Sequence, residues 1–290
     1  MLKPRRTRVR SGLAMPAPIG PTPPAFRRPI LPAPLERIEL AIPRLPESLE
    51  GFTILHLTDL HLRKGRSVPP TVAALLEHLP SLPVDLVCLT GDYGHVPGDE
   101  AAACEGVRRL SQAWRARLGA LGIFGNHDSR DLPAMMRARV PGVRWLSHGT
   151  LDLAPGLRVL ATTYPEDALA ALGARAPEGV FTIALIHYPT EAITLSALGV
   201  PLALAGHTHG GQVRLSPEYA PHTSCDLPHD QAAGLLRFGA TRVAISRGLG
   251  QSVAELRINC PPQAPVYVLR RAPDDPPPGG PNGFVKLRSW

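Results

Sequence analysis

Short apolar runs, each closed by a breaker and separated by polar or helix-patterned stretches, recur along the chain. FTILHL (52–57) has the length and β-branched content of a strand, and TVAALLEHL (71–79) has helical spacing. DLVCLT (85–90) is apolar on consecutive positions and predicts a strand buried on both faces. The Leu, Val and Trp spacing over 99–118 predicts a second helix. LGIF (121–124), FTIALI (181–186) and PLALA (201–205) are further short runs bounded by Gly, Pro or His. RVLATT (158–163), RVAIS (242–246) and APVYVLR (264–270) predict strands that pair antiparallel. Strands alternating with helices early, then strand-rich sequence late, imply a layered α/β domain with helices outside sheets.

Composition divides the chain into three regions. Residues 1–35 hold nine of the 34 prolines and no apolar periodicity, so they read as an arm. Residues 36–271 form the patterned body, and residues 272–290 are a tail, with APDDPPPGGPNG as a breaker before FVKLRSW. The chain of 290 residues carries a net charge of +7, which at first suggests nucleic acid. Eight basic residues against one acid lie before residue 38, however, leaving 23 of each sign in the rest. The body is therefore neutral and the excess belongs to the arm. That arm is either a solvated extension or a weak attachment to an anionic membrane surface or nucleic acid.

Cys88, Cys104, Cys225 and Cys260 show neither a C-x-x-C pair nor a disulfide framework, and Cys88 reads as a small core residue. No run of about eighteen apolar residues occurs. Arg5-Arg6 lacks the apolar stretch of an export signal. These features predict a cytoplasmic protein with at most peripheral membrane contact.

The apolar runs matter most for what ends them. FTILHLT meets Asp59-Leu60-His61, DLVCLT meets Gly91-Asp92, and LGIF meets Gly125-Asn126-His127-Asp128. FTIALI meets His187, and PLALA meets Gly206-His207-Thr208-His209. Each residue alone has a plain explanation, since Asp after a strand is often a helix cap and Asn a turn residue. Five strands delivering such groups at their carboxyl ends, where α/β sheets gather ligands, point to one site. Asp59 and His61, one residue apart, point the same way on an extended segment. Oxygen and imidazole donors without thiolate suit Mn, Fe or Zn, with Mn favoured. Asp92 is the natural bridging carboxylate. Two divalent cations against two carboxylates leave positive charge to hold a hydroxide and a phosphoryl group. Gly210 and Gly211 are expected to let the backbone pass close without obstructing substrate.

The set D-L-H, G-D, G-N-H-D, a lone H and G-H-T-H, in this order over residues 50–270, resembles the calcineurin-like metallophosphoesterase superfamily. That resemblance implies a four-layer α/β/β/α sandwich with a dinuclear metal centre. It implies that Asp59, His61 and His209 hold one ion and that Asn126, His187 and His207 hold the other, with Asp92 bridging. His127 matches the position that stabilises the transition state and protonates the leaving oxygen, and Asp128 the one that orients His127 through a hydrogen bond. GGQVRLSP and SRGLGQSVAELRINCPPQAPVYVL resemble a bacterial subgroup of membrane-associated phosphodiesterases that includes a UDP-2,3-diacylglucosamine pyrophosphatase type making a lipid A precursor. The chain departs from it in having the basic arm where many members have a membrane helix or export signal. It also has His95 where many carry an acidic residue; His95 is a loop residue or a substrate contact. Lys64, Arg66 and Arg247 are candidate phosphate contacts.

The expected activity is metal-dependent hydrolysis of a phosphoester or pyrophosphate bond by a bridging hydroxide, on a phosphate-containing substrate that includes lipid-linked nucleotides. Nucleotide phosphodiesterase, nuclease and phosphomonoesterase activities are the alternatives, followed by a non-catalytic binding module. No specific nucleic acid is expected as partner.

Overall fold

The computed structural model describes residues 34–163, 176–252, 254–274 and 283–289. Its strands are β1 (Leu35–Pro43), β2 (Thr53–Leu57), β3 (Pro83–Val84), β4 (Leu86–Thr90), β5 (Arg115–Ala116), β6 (Ala120–Ile123), β7 (Arg144–Trp145), β8 (Gly149–Ala154), β9 (Leu157–Ala161), β10 (Phe181–Leu185), β11 (Leu202–Ala205), β12 (Gly234–Phe238), β13 (Thr241–Ile245), β14 (Ala264–Ala272) and β15 (Phe284–Arg288). One sheet has the order β1-β14-β2-β4-β6-β7, and the other β15-β12-β13-β11-β10-β9-β8. In each the middle strands are parallel: β2, β4 and β6 in the first, β10, β11 and β13 in the second. Every strand that carries a candidate ligand at its end is one of these parallel strands.

The period-two alternation of these strands builds the layers. In β4, Leu86 and Cys88 enter the core between the sheets, where they meet Ile183, Leu185, Leu202 and Leu204. Val87 and Leu89 face the other way, toward Val72 and Leu75 of helix α1 (Pro70–His78), Val107 and Leu110 of α2 (Glu100–Ala113) and Met136 of α3 (Leu132–Arg139). On the far side of the second sheet, Ala184, Ala203 and Val243 pack with Ala192 and Leu195 of the short helix Ala192–Ala197. Three apolar cores thus separate four layers, an α/β/β/α sandwich. Because both faces of its central strands are covered, those strands read as continuous apolar runs.

Several sequence expectations need correction. The helix expected over 99–118 ends at Ala113. Trp114 turns extended at φ −72°, ψ 155°, and the next two residues pair in parallel with Pro83–Val84. The strands expected to pair antiparallel are parallel on one side and antiparallel on the other: β9 with β10 and β8, β13 with β11 and β12, β14 with β1 and β2. Composition carries no signal for a neighbour's direction. β1 escaped the apolar-run reading because its buried residues, Ile38, Leu40 and Ile42, alternate with exposed ones, Arg37, Glu39 and Ala41.

The last strand extends the second sheet, with Phe284 opposite Phe238 and their ring centroids 4.8 Å apart. The breaker before it falls mostly outside the described residues, as do residues 1–33 of the basic arm. No helix among the described residues is long and apolar enough to cross a membrane.

Phe284 is 3% exposed. Phe284→Ala is expected to cost about 3 kcal/mol of stability, the usual loss for emptying a buried aromatic site. The check is a lower urea midpoint with an unchanged far-UV circular dichroism spectrum.

Candidate metal centre

Asp59, His61, Asp92, His187, His207 and His209 are all buried where the carboxyl ends of the two parallel strand sets meet. The turns that hold them are tight. Asp59 (φ 52°), His61 (43°), Asp92 (57°), His207 (69°) and His209 (51°) account for five of the nine non-glycine residues with positive φ among the described residues. Each such conformation costs about 1 kcal/mol for a residue with a Cβ. The expectation of an extended Asp59–His61 segment is therefore wrong: both side chains reach the site from left-handed backbone. The segment is held by Asp59 N–H to Gly91 O (3.0 Å) and His61 N–H to Asp92 O (3.0 Å). Gly125 is obligatory at the centre, because a Cβ there would overlap the Asp92 carboxylate and the His187 ring.

Among the described residues the donor atoms form three groups; two of them, Asp59–His61–His209 and Asp92–His187–His207, consist of buried residues only, and the third is His61–His95–His127. In the first, His61 Nε2 and His209 Nε2 are 3.0 Å apart, with Asp59 Oδ1 3.7 Å from the latter. In the second, Asn126 Oδ1 is 3.0 Å from both His187 Nε2 and His207 Nδ1. Asp92 Oδ2 lies between them, 3.6 Å from His61 Nε2 and 3.3 Å from His187 Nε2.

The spacing fits metal ions. A cation with bonds of about 2.1 Å keeps its ligand atoms roughly 3.0–3.4 Å apart. The protonation tendencies of His61, His207 and His209 fit as well. Burial lowers His61 to about 3 and His207 to about 4, and it takes His209 well below its ordinary value, so their lone pairs are free at neutral pH. Burial raises Asp59 to about 6, reflecting the cost of an uncompensated buried carboxylate that a cation would offset. Burial also opposes ionisation of Asp92, but His187, His61 and His127 outweigh it and hold its carboxyl low.

Outer partners fix the imidazoles. His187 donates from Nδ1 to Thr90 O (2.7 Å), which leaves Nε2 facing Asp92, and His207 donates from Nε2 to Ser224 O (2.7 Å). Thr90 lies 97 residues from His187, and no local pattern could have revealed it. Arg257, also missed from sequence, is a half-buried residue whose guanidinium donates to the carbonyls of Arg247 and Gly250 at 2.8 and 2.6 Å. It also donates to His209 O at 3.3 Å, and so ties the loop after β13 to the turn carrying His209.

Asp128 does not orient His127 as expected. Its Oδ2 accepts from the backbone N–H of Asp92 and Gly125 (both 2.8 Å), and Oδ1 accepts from Tyr93 N–H (2.8 Å). With both oxygens engaged, it braces the Asp92 turn against the Asn126 turn. His127 is held instead by its own backbone N–H to Asp92 Oδ1 (2.9 Å) and by Nδ1–H donated to His95 O (2.8 Å).

Lys64 and Arg66 lie on an exposed loop, Arg66 next to Glu255 at 3.4 Å, and neither belongs to the clusters. Arg247 is buried and its guanidinium pairs with the Glu36 carboxylate and donates to Pro261 O, so it packs the sheet edge rather than standing free for a substrate phosphate. Gly210 and Gly211 make room for protein: a Cβ at Gly210 would meet Arg247 and Cys260, and one at Gly211 would meet Ala220.

Two cavities adjoin the centre and share Pro221, His222 and Ser224. One of about 650 Å³ runs past Tyr188, Thr190, Asp226 and His229. The other, about 210 Å³, passes His209 along the carbon surfaces of Gly211, Val213 and Ala254.

Comparison with known proteins agrees with this architecture. The metallophosphoesterase YkuE of Bacillus subtilis is 29% identical over 236 residues, covering 78% of this chain and 82% of that protein. Phosphodiesterase YaeI of Escherichia coli is 28% identical over 233 residues, covering 75% and 82%. A zebrafish transmembrane protein with a metallophosphoesterase domain is 26% identical over 203 residues, covering 61% of this chain and 44% of its own length. Residues 52–211, more than half of the chain, match the calcineurin-like phosphoesterase domain, which ends at the His207–Gly211 turn. The two-cluster centre thus sits in a metal-dependent hydrolase, and the chain belongs to the calcineurin-like phosphoesterase family.

Proposed function

We propose that the protein hydrolyses phosphodiester or pyrophosphate bonds, with Asp59, His61 and His209 holding one divalent ion and Asn126, His187 and His207 the other. Asp92 joins the two. The observation that carries this reading is the position of Asp92 Oδ2, within 3.6 Å of an imidazole nitrogen from each cluster. When bound, such a pair of ions neutralises phosphoryl charge and lowers the pKa of a water nucleophile toward neutrality. The donor set suits manganese.

The chain's own groups do the rest. His127 keeps its Nδ1 proton on the His95 carbonyl, which leaves Nε2 as the nitrogen that holds or moves a proton at the leaving oxygen. Asp128 keeps the Asp92 and Asn126 turns in register. The paired cavities favour a substrate substituted on both sides of phosphorus, one arm polar and the other apolar. A lipid-linked nucleotide such as UDP-2,3-diacylglucosamine has that form. The basic arm, residues 1–35, is the segment that would rest on an anionic membrane.

Asp92→Asn is expected to abolish turnover and reduce bound metal. His127→Ala is expected to abolish turnover while retaining two ions per chain by elemental analysis; full activity in that variant would refute the assigned role. Asp128→Ala removes the acceptor of four backbone N–H groups. It should lower both the melting temperature and metal occupancy rather than the rate alone, at a cost of about 1–3 kcal/mol for each donor left unsatisfied. On manganese-loaded protein, a panel of monoester, nucleotide diester and lipid pyrophosphate should show preference for a doubly substituted substrate; a monoester preferred in kcat/KM would overturn that choice.

A further inference from the structure

We propose that His95 is a positioning residue for both halves of the site: its ring accepts the Nδ1–H of His61, and its carbonyl accepts the Nδ1–H of His127. The proposal rests on the dinuclear reading above.

An imidazole that gives one nitrogen to a metal has a proton on the other, and that proton needs an acceptor. His187 has the Thr90 carbonyl, and His207 has the Ser224 carbonyl. For His61, whose Nε2 faces His209 and Asp92, the group opposite Nδ1 is the Nδ1 of His95, at 3.4 Å. The two rings meet edge to face, with centroids 5.5 Å apart and planes at 70°. For His61 to donate, His95 carries its proton on Nε2 and offers a bare Nδ1. Its ring then does for His61 what a carbonyl does for His187.

The placement is built rather than incidental. His61 and Leu62 donate their backbone N–H groups to Asp92 O (3.0 Å) and Tyr93 O (2.8 Å), which lays the two ligand loops side by side. Leu62 and Gly94 continue that pairing as a parallel bridge. Residue 95 follows immediately, with its ring toward His61 and its carbonyl 2.8 Å from His127 Nδ1. One residue thereby sets the tautomers of a ligand and of the proton-bearing histidine. Replacing its side chain removes only the first contact.

The experiment is calorimetric titration of metal-free protein with Mn²⁺, together with the visible spectrum of the Co²⁺ form, on wild type, His95→Phe and His95→Asn. Phenylalanine keeps the ring volume without an acceptor, whereas the asparagine Oδ1 takes the place of Nδ1. One of the two ions is expected to bind 10- to 100-fold more weakly in His95→Phe, with a shifted cobalt band, and to recover to within a few-fold in His95→Asn. If His95→Phe does not fold by circular dichroism, His95→Ala gives the same contrast. Wild-type affinity and spectrum in the acceptor-free variant would overturn the proposal, as would an Asn variant as weak as Phe. Wild-type protein that binds fewer than two ions would instead overturn the dinuclear reading.

Discussion

A buried carboxylate among imidazoles is the constraint on which the rest of this structure depends. Asp92 sits at the junction of two donor clusters, and removing it from water is unfavourable unless positive charge compensates. His187 supplies some of that compensation, and its own pKa is raised to about 10 because the Asp92 interaction outweighs the opposing effect of its burial. The other imidazoles, kept neutral by burial, offer lone pairs instead. The fold encloses a site that is electrostatically complete with cations between its donors.

Holding such a site requires backbone that does not relax. The ligand turns run through left-handed conformations at Asp59, His61, Asp92, His207 and His209, and each is tied down from outside. Asp128 spends both carboxylate oxygens on backbone N–H groups, and Tyr93 anchors the same turn through its hydroxyl, donated to Ile123 O at 2.6 Å. Tyr93 also packs edge-on against Phe124 and Trp145. The strain is thus supported by the helix-side core of the first sheet, as expected where over-determined surroundings keep a functional geometry in place. Arg257 plays the corresponding part on the second sheet, through carbonyls rather than a carboxylate.

The orientation of the imidazoles follows the same logic. Backbone carbonyls of strand ends and loops serve His187, His207 and His127. A carbonyl's position is set by the fold and does not depend on a rotamer. This makes the donor array rigid before any ion or substrate arrives, which is what electrostatic preorganisation demands.

Much of this was legible in the chain itself. The runs ending in Asp59, Asp92, Asn126, His187 and His207 announced both the central strands and the residues at their tips, because a strand buried on two faces is apolar throughout and ends abruptly where chemistry begins. Strand direction in β9, β13 and β14 was not legible, since pairing is a property of the neighbour. β1 and β15 were hidden by the charged residues that interrupt their apolar ones. Asp128 was placed correctly in the site's sequence segment but misassigned in what it holds, and Arg247 looked available until Glu36, 211 residues away, was found beside it. Residue types and their order determined which chemistry this protein can support. Only the tertiary structure decided which partner each group faces, because those partners are backbone atoms and distant side chains brought near by sheet packing.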